Sequence, residues 1–147
     1  MRVFFDTSML LAAIVSGHPA HMIALPLLKR VKDKADTGFT AAHSLAELYA
    51  NLTRLPIRPR IAPMLALQLI QHNVVETCQI VSLSDADYVT MLNHLVGLGI
   101  SGGAIYDALL LHAAWIANVD RILTLNERDF RRVYPQLADK IVSPLES

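Results

Sequence analysis

The sequence predicts an α/β fold in which helices cover both faces of a central parallel sheet of four or five strands. Three observations point there. Short β-rich runs alternate with longer helical patterns along the chain, the rhythm of βαβ units. The first run, Val3-Phe4-Phe5, is apolar at every position, as expected of a strand buried on both sides. The 147 residues, 53% of them hydrophobic, suit one domain over 1–147 with its own core.

Taken in order, residues 2–5 are the first strand. Residues 9–15 form a short helix, broken by Gly17-His18-Pro19. Residues 20–31 form a second helix that ends in the basic run Lys29-Arg30-Val31-Lys32. Residues 38–42 are the second strand and 43–54 the helix after it, stopped by Leu55-Pro56. Arg58-Pro59-Arg60 is a rigid loop. Pro63 then opens a helix to about residue 71, since its missing N–H costs nothing in a first turn. Residues 77–83 are the third strand. Ser84 caps the next helix, with Asp87 three residues on, close to a capping box. Ser101-Gly102-Gly103 hinges into an apolar helix from Ala104. Residues 121–124 are a fourth strand and 140–142 a fifth, with a polar loop over 124–130.

Composition limits the function classes. Thirteen basic and thirteen acidic residues balance, so no global basic signature of nucleic-acid binding exists, and any such contact must be local. Charged residues at 18% fall below the usual quarter, as in a chain that hides surface in a partner or in a copy of itself. Cys78 is the single cysteine, which excludes an internal disulfide and a cysteine zinc site and suits a reducing compartment. Asp6 interrupts what could pass for a signal-peptide core. Asp107, His112 and Asn118 break the apolar stretch over 104–119. The expectation is a soluble, cytoplasmic protein with no membrane span.

In parallel sheets, functional residues gather beyond the carboxyl ends of the strands. Asp6 stands there, directly after the first strand; alone it is equally a helix cap. Asp107 is more telling. Its helix is apolar nearly all round, and an unpaired carboxylate in such surroundings costs several kcal/mol unless it protonates or meets a cation. Glu47 lies opposite a stripe of Leu45, Leu48, Tyr49 and Leu52, with His43, Asn51 and Arg54; taken alone that is a solvated face. Thr124, Asn126, Glu127 and Asp129 follow the fourth strand and add a hydroxyl, an amide and more carboxylates at the same edge. Oxygen ligands without cysteine or clustered histidine suit a hard cation such as Mg²⁺ or Mn²⁺. Met22, Met64 and Met91 fit core or interface packing, Cys78 reads as an inert buried thiol, and His18 and His21, spaced i, i+3 as a metal pair could be, read rather as exposed at a helix start.

Four fragments in this order resemble the PIN-domain nucleases, most closely the VapC-type toxins of bacterial toxin–antitoxin pairs. They are Phe4-Phe5-Asp6-Thr7-Ser8, Ser44-Leu45-Ala46-Glu47-Leu48, Tyr106-Asp107-Ala108-Leu109-Leu110, and Leu123-Thr124-Leu125-Asn126 with Asp129-Phe130. The resemblance implies a Rossmann-like three-layer α/β/α fold and a metal-dependent endoribonuclease. On it, Asp6 and Asp107 hold Mg²⁺ or Mn²⁺, with Glu47 nearby, and Ser8 and Thr124 orient the carboxylates. Asn126 stands where many relatives carry Asp, and Asp129 is the candidate to take over that acidic role. The implied partners are an RNA substrate, tRNA among the candidates, a cognate antitoxin and a second copy in a homodimer.

Arg54, Arg58, Arg60 and Arg128, with Arg131 and Arg132, are the candidates to hold the RNA backbone around an acidic pocket that would otherwise repel it. Other readings stay open. A phosphatase or receiver domain built on Asp6 lacks a second Asp at position 8 and a lysine near the later loops. A catalytically weak module that binds RNA or protein draws support from Asn126, and a host RNA-processing nuclease would need no antitoxin.

Overall fold

Each of the five β-rich runs becomes a strand of one sheet in the computed structural model, which describes residues 1–146. The strands are β1 (Arg2–Phe5), β2 (Thr37–Ala41), β3 (Cys78–Val81), β4 (Arg121–Leu123) and β5 (Ile141–Val142). All pairings are parallel, in the order β3-β2-β1-β4-β5. The chain builds outward from β1 through β2 to β3, then returns to the other side of β1 as β4. Strand order therefore reverses between β1 and β4, and a crevice opens where the connections diverge.

Among the described residues seven α-helices cover the sheet: α1 (Thr7–Ile14), α2 (His21–Lys32), α3 (Ala42–Arg54), α4 (Pro63–Ile70), α5 (Asp85–Leu98), α6 (Ala104–Ile116) and α7 (Glu127–Val133). The alternation of side chains along each strand divides the core in two. Val3, Phe5, Cys78 and Leu123 pack with α1, α2, α3 and α4. Phe4, Phe39, Ile122 and Ile141 pack with α5, α6 and α7 on the opposite face. Phe4 and Phe5, adjacent in sequence, are both fully buried in different layers. This is the expected three-layer arrangement. At Gly38 the packing of α2 on β2 is closest: a Cβ there would lie 2.7 Å from Val31 Cγ1 and 2.9 Å from Cys78 Sγ.

Local chemistry sets the helix ends. Ser84 and Asp87 close the expected capping box, with reciprocal bonds of 3.2 and 2.9 Å. Gly99 ends α5 at a φ of +66°, a conformation glycine adopts without a Cβ penalty. His112, buried in α6, lies 3.3 Å from Asp87 Oδ1 through Nε2 and 3.3 Å from the Tyr134 hydroxyl through Nδ1. Since the carboxylate can only accept, Nε2 donates to Asp87, and the other ring nitrogen pairs with the Tyr134 hydroxyl. The histidine that interrupts the apolar pattern is thus a tie between α5, α6 and the end of α7.

Two expectations need correction. Residues 124–130 are not a polar loop throughout, because α7 starts at Glu127. Its acids lie in the first turn and Arg131 and Arg132 in the last, matching the helix dipole, while Phe130 and Val133 are buried. Seven residues are too few to show a clear helical period. In α3 the buried stripe is Ser44, Leu48 and Leu52, whereas Tyr49 is 45% exposed. The helix from Pro63 ends at Ile70, close to the expected end, and continues as a π-helical turn over Gln71–Val75.

Candidate active site

Asp6 follows β1 without a break and caps α1, its Oδ1 accepting from the Met9 backbone N–H at 2.9 Å. Its place at the strand end buries it to 2% exposure beside the first residue after β4. There Thr124, itself fully buried, donates to Asp6 Oδ2 at 2.5 Å and accepts from the Asn126 N–H at 2.9 Å. Ser8 donates to Asp6 Oδ1 at 2.7 Å and accepts from the Leu125 N–H at 3.1 Å. The two hydroxyls thus stitch β1 to the β4 loop across the point where strand order reverses. Both act on Asp6; neither bonds to Asp107, so the expected orienting role applies to one carboxylate only.

Around this anchor lies a cleft of about 230 Å³ lined by Asp6, Ser8, Glu47, Asn51, Asp107 and Asn126, among others. Glu47 is half-buried and reaches the cleft from α3. Thr7 Oγ1 donates to Glu47 Oε1 at 3.2 Å and lies 3.0 Å from the buried Ser44 Oγ. Sequence reasoning alone does not assign Thr7 and Ser44 to the site. Ser44 carries a signal, since it is the polar member of the 44, 48, 52 stripe that faces the core. Glu47 is therefore held in place and does not belong to a purely solvated face.

The electrostatics show how closely the acids converge. Burial pushes the Asp6 carboxyl up to about 6 against the pull of its hydrogen bonds from Thr124, Ser8 and Met9, and the charge of Asp107 adds to the rise. Asp107, half-buried in the first turn of α6, is raised by desolvation, then by Asp129 and Glu47. Asp129 is exposed and does not line the cleft, yet it acts on Asp107 from the first turn of α7. Asn126 does line it. The cleft thus carries the Asn126 amide in its lining, with the Asp129 carboxylate acting on Asp107 from outside it.

A hard divalent cation fits this donor set. The cleft offers carboxylate, hydroxyl and amide oxygens, and the mutual charge of its acids is the kind that a cation offsets. Among the described residues no three His, Cys, Asp or Glu side chains close into one ligand group. Mg²⁺ does not require one, because it keeps several waters and takes one or two carboxylates together with substrate phosphates. Asp6 and Asp107 are the pair that could serve.

The other candidates lie outside the cleft. Arg54, Arg58, Arg60 and Arg128 are exposed and line no part of it. Arg131 is committed elsewhere, donating to the Ile141 carbonyl at 2.9 Å. His18 and His21 are half-buried, not exposed as expected: His18 Nδ1 accepts from the Ala20 N–H, and His21 Nδ1 sits 2.9 Å from the Ala12 carbonyl, tying α2 to α1. Cys78 is buried and its thiol is pushed up to about 12, as expected of an inert group. No helix among the described residues is long and apolar enough to cross a membrane.

Sequence and fold comparisons point the same way. The chain is 33% identical over 128 residues to the ribonuclease VapC40 of Mycobacterium tuberculosis, covering 87% of each chain. It is 35% identical over 109 residues to the ribonuclease VapC27 of the same species, covering 74% of each. In fold it is similar to a chain of the VapBC2 structure from Rickettsia felis, bound to a DNA fragment from its promoter. That likeness has a TM-score of 0.66 at 20% identity and covers 97% of this chain and 98% of the other. VapC20 of M. tuberculosis, a toxin that cleaves the sarcin–ricin loop, matches with a TM-score of 0.63 at 17% identity over 82% and 86% of the two chains. Residues 3–135, which include every acid of the cleft, match the PIN domain, and the chain belongs to the PIN domain family.

Proposed function

We propose that this protein is an endoribonuclease, the toxin of a VapBC-type toxin–antitoxin pair, and that it cuts RNA phosphodiester bonds with a divalent cation, Mg²⁺ or Mn²⁺. The observation that carries the reading is the hydrogen-bonded Asp6–Thr124 contact across the strand-order reversal, with Asp107 and Glu47 in the same cleft. It occurs in a chain one-third identical to ribonucleases over most of its length.

Asp6 and Asp107 would hold the cation. Bound there, it supplies positive charge against the phosphate oxygens and makes water a stronger nucleophile. Ser8 and Thr124 keep both Asp6 oxygens engaged, which fixes the carboxylate's direction before substrate arrives. Glu47, held by Thr7, is within the cleft to accept a proton from attacking water. Asp129 raises the negative potential at Asp107 and so favours cation over anion at the site. Its presence supports an active enzyme over an inert binding module, although Asn126 replaces one acid. The exposed Arg54, Arg58, Arg60 and Arg128 would counter the repulsion between the acidic cleft and the RNA backbone. An antitoxin and a second copy of the chain are the expected partners, and the low charged fraction agrees with surfaces of that kind.

The test is cleavage of total RNA, tRNA included, by the parent chain, Asp6→Asn and Asp107→Asn, each in Mg²⁺, Mn²⁺ and EDTA. Discrete fragments that need the metal and both carboxylates are expected. Cleavage that survives in EDTA, or in both variants, would refute the assignment.

A further inference from the structure

A second depression, of about 270 Å³, opens on the same edge of the sheet, at the carboxyl ends of β2 and β3. Its walls include His43 in the first turn of α3, Ser82 and Leu83 after β3, Tyr88 on α5 and Leu110 on α6. Leu110 also lines the acidic cleft, so the two share a wall residue. His43 links them as well, with Nε2 3.7 Å from Glu47 Oε1. The ring of Tyr106, the residue before Asp107, lies within 10° of parallel to the His43 ring at a centroid distance of 6.0 Å.

These aromatics are not core residues. Tyr88, in the wall, is 45% exposed beside the aliphatic Val81, Leu83 and Leu109, and Tyr106, which stacks on His43 outside the depression, is 56% exposed. The exposed Ser82 hydroxyl has no hydrogen-bond partner among the described residues, so a donor and acceptor remains at the rim. The volume falls just below the ~300–1,000 Å³ of pockets that take drug-sized ligands, the scale of one heterocycle. Single-stranded RNA is held by stacking unstacked bases on aromatic side chains and bonding their edges to polar groups. We propose that this depression is a nucleobase subsite, which takes one unstacked base of a single-stranded RNA next to the phosphate held in the acidic cleft. The proposal rests on reading that cleft as an RNA-cleaving site. His43 and Tyr88 would supply the stacking surface, Ser82 an edge contact, and the wall shared at Leu110 would place a chosen base beside the cleaved bond.

The test uses Asp6→Asn, titrated with single-stranded RNA hexamers that carry 2-aminopurine at each position in turn. Quenching should be confined to one or two adjoining positions. Ser82→Trp, which fills the depression from an exposed site, and Tyr88→Ala should each abolish that quenching and raise Kd about tenfold, the scale of removing one base stack. Introduced into the cutting protein, the same changes should raise KM about tenfold, flatten the base preference beside the cleaved bond and alter kcat less than twofold. Equal quenching at all positions overturns the proposal. So does unchanged Kd and KM in both variants while cleavage persists, an outcome that leaves the nuclease reading standing. Loss of self-association in Ser82→Trp with unchanged RNA affinity assigns the depression to a protein contact and also overturns it. If the parent chain neither cuts nor binds any RNA, both readings fall together.

Discussion

Replacing Asp6 by Asn should destroy cleavage and at the same time make the metal-free protein more stable. The carboxyl is buried beneath the cleft and pushed up from 3.8 to about 6. Between those values the folded protein binds more protons than the unfolded chain, so stability falls as pH rises through the window and stays reduced above it. At about 1.4 kcal/mol per pH unit of displacement, ionised Asp6 costs about 3 kcal/mol at neutral pH. Asn removes the charge and still offers one oxygen to the Met9 N–H and Ser8 hydroxyl. Its amide nitrogen cannot accept the Thr124 proton, a loss worth about 1 kcal/mol. A net gain of about 2 kcal/mol remains, or about 4–8 °C in Tm for a chain of this size. Urea denaturation in EDTA at pH 7 measures it, and repeating the comparison down to pH 4 should shrink the difference toward zero or below as wild-type Asp6 protonates. Adding Mn²⁺ should raise the wild-type Tm and leave the variant's unchanged. A variant less stable than wild type at pH 7, or a difference independent of pH, would show that Asp6 is not held at electrostatic cost, and the argument for a cation there would fail.

Other changes probe the parts separately. Asp107→Asn should leave the far-UV spectrum unchanged and lower the cleavage rate by about 100- to 1,000-fold, the usual cost of removing one preorganised charge interaction. Thr124→Val keeps the shape but strips Asp6 Oδ2 and the Asn126 N–H of their partner; it should cost about 1–3 kcal/mol in urea denaturation. It should also weaken Mn²⁺ about 10- to 100-fold by calorimetry, as removing a residue that supports a metal ligand does. Gly38→Ala forces a methyl group against Val31 and Cys78 and should destabilise by about 1–3 kcal/mol, with cleavage per folded molecule preserved. Replacing Arg54, Arg58, Arg60 and Arg128 by Ala should lower RNA affinity and flatten its dependence on log salt by about 0.7 for each phosphate no longer neutralised; an unchanged slope would remove them from the interface.

How much of this is legible without coordinates depends on the range of the interaction. Strand and helix order follow from local pattern, because a buried strand must be apolar and helix caps favour Asp, Ser and Thr. Asp107 draws notice because one charge among apolar neighbours is costly wherever the helix packs. The short α7 is not legible: its seven residues carry little period, and the contacts that stabilise it come from Phe130 and Val133 in a core built by distant strands. Thr7 as the support of Glu47, Ser44 beneath it and Tyr134 against His112 are likewise out of reach, since each pair is joined by tertiary packing. Local pattern is enough to mark the residues able to do chemistry and to set Asp6 and Thr124 at strand ends. That β4 lies beside β1, so that Asp6 and Thr124, 118 positions apart, share a hydrogen bond, emerges from the folded sheet alone. Strand order is fixed by the summed packing of two helical layers on one sheet, an energy spread over the whole chain that no local run of residues records.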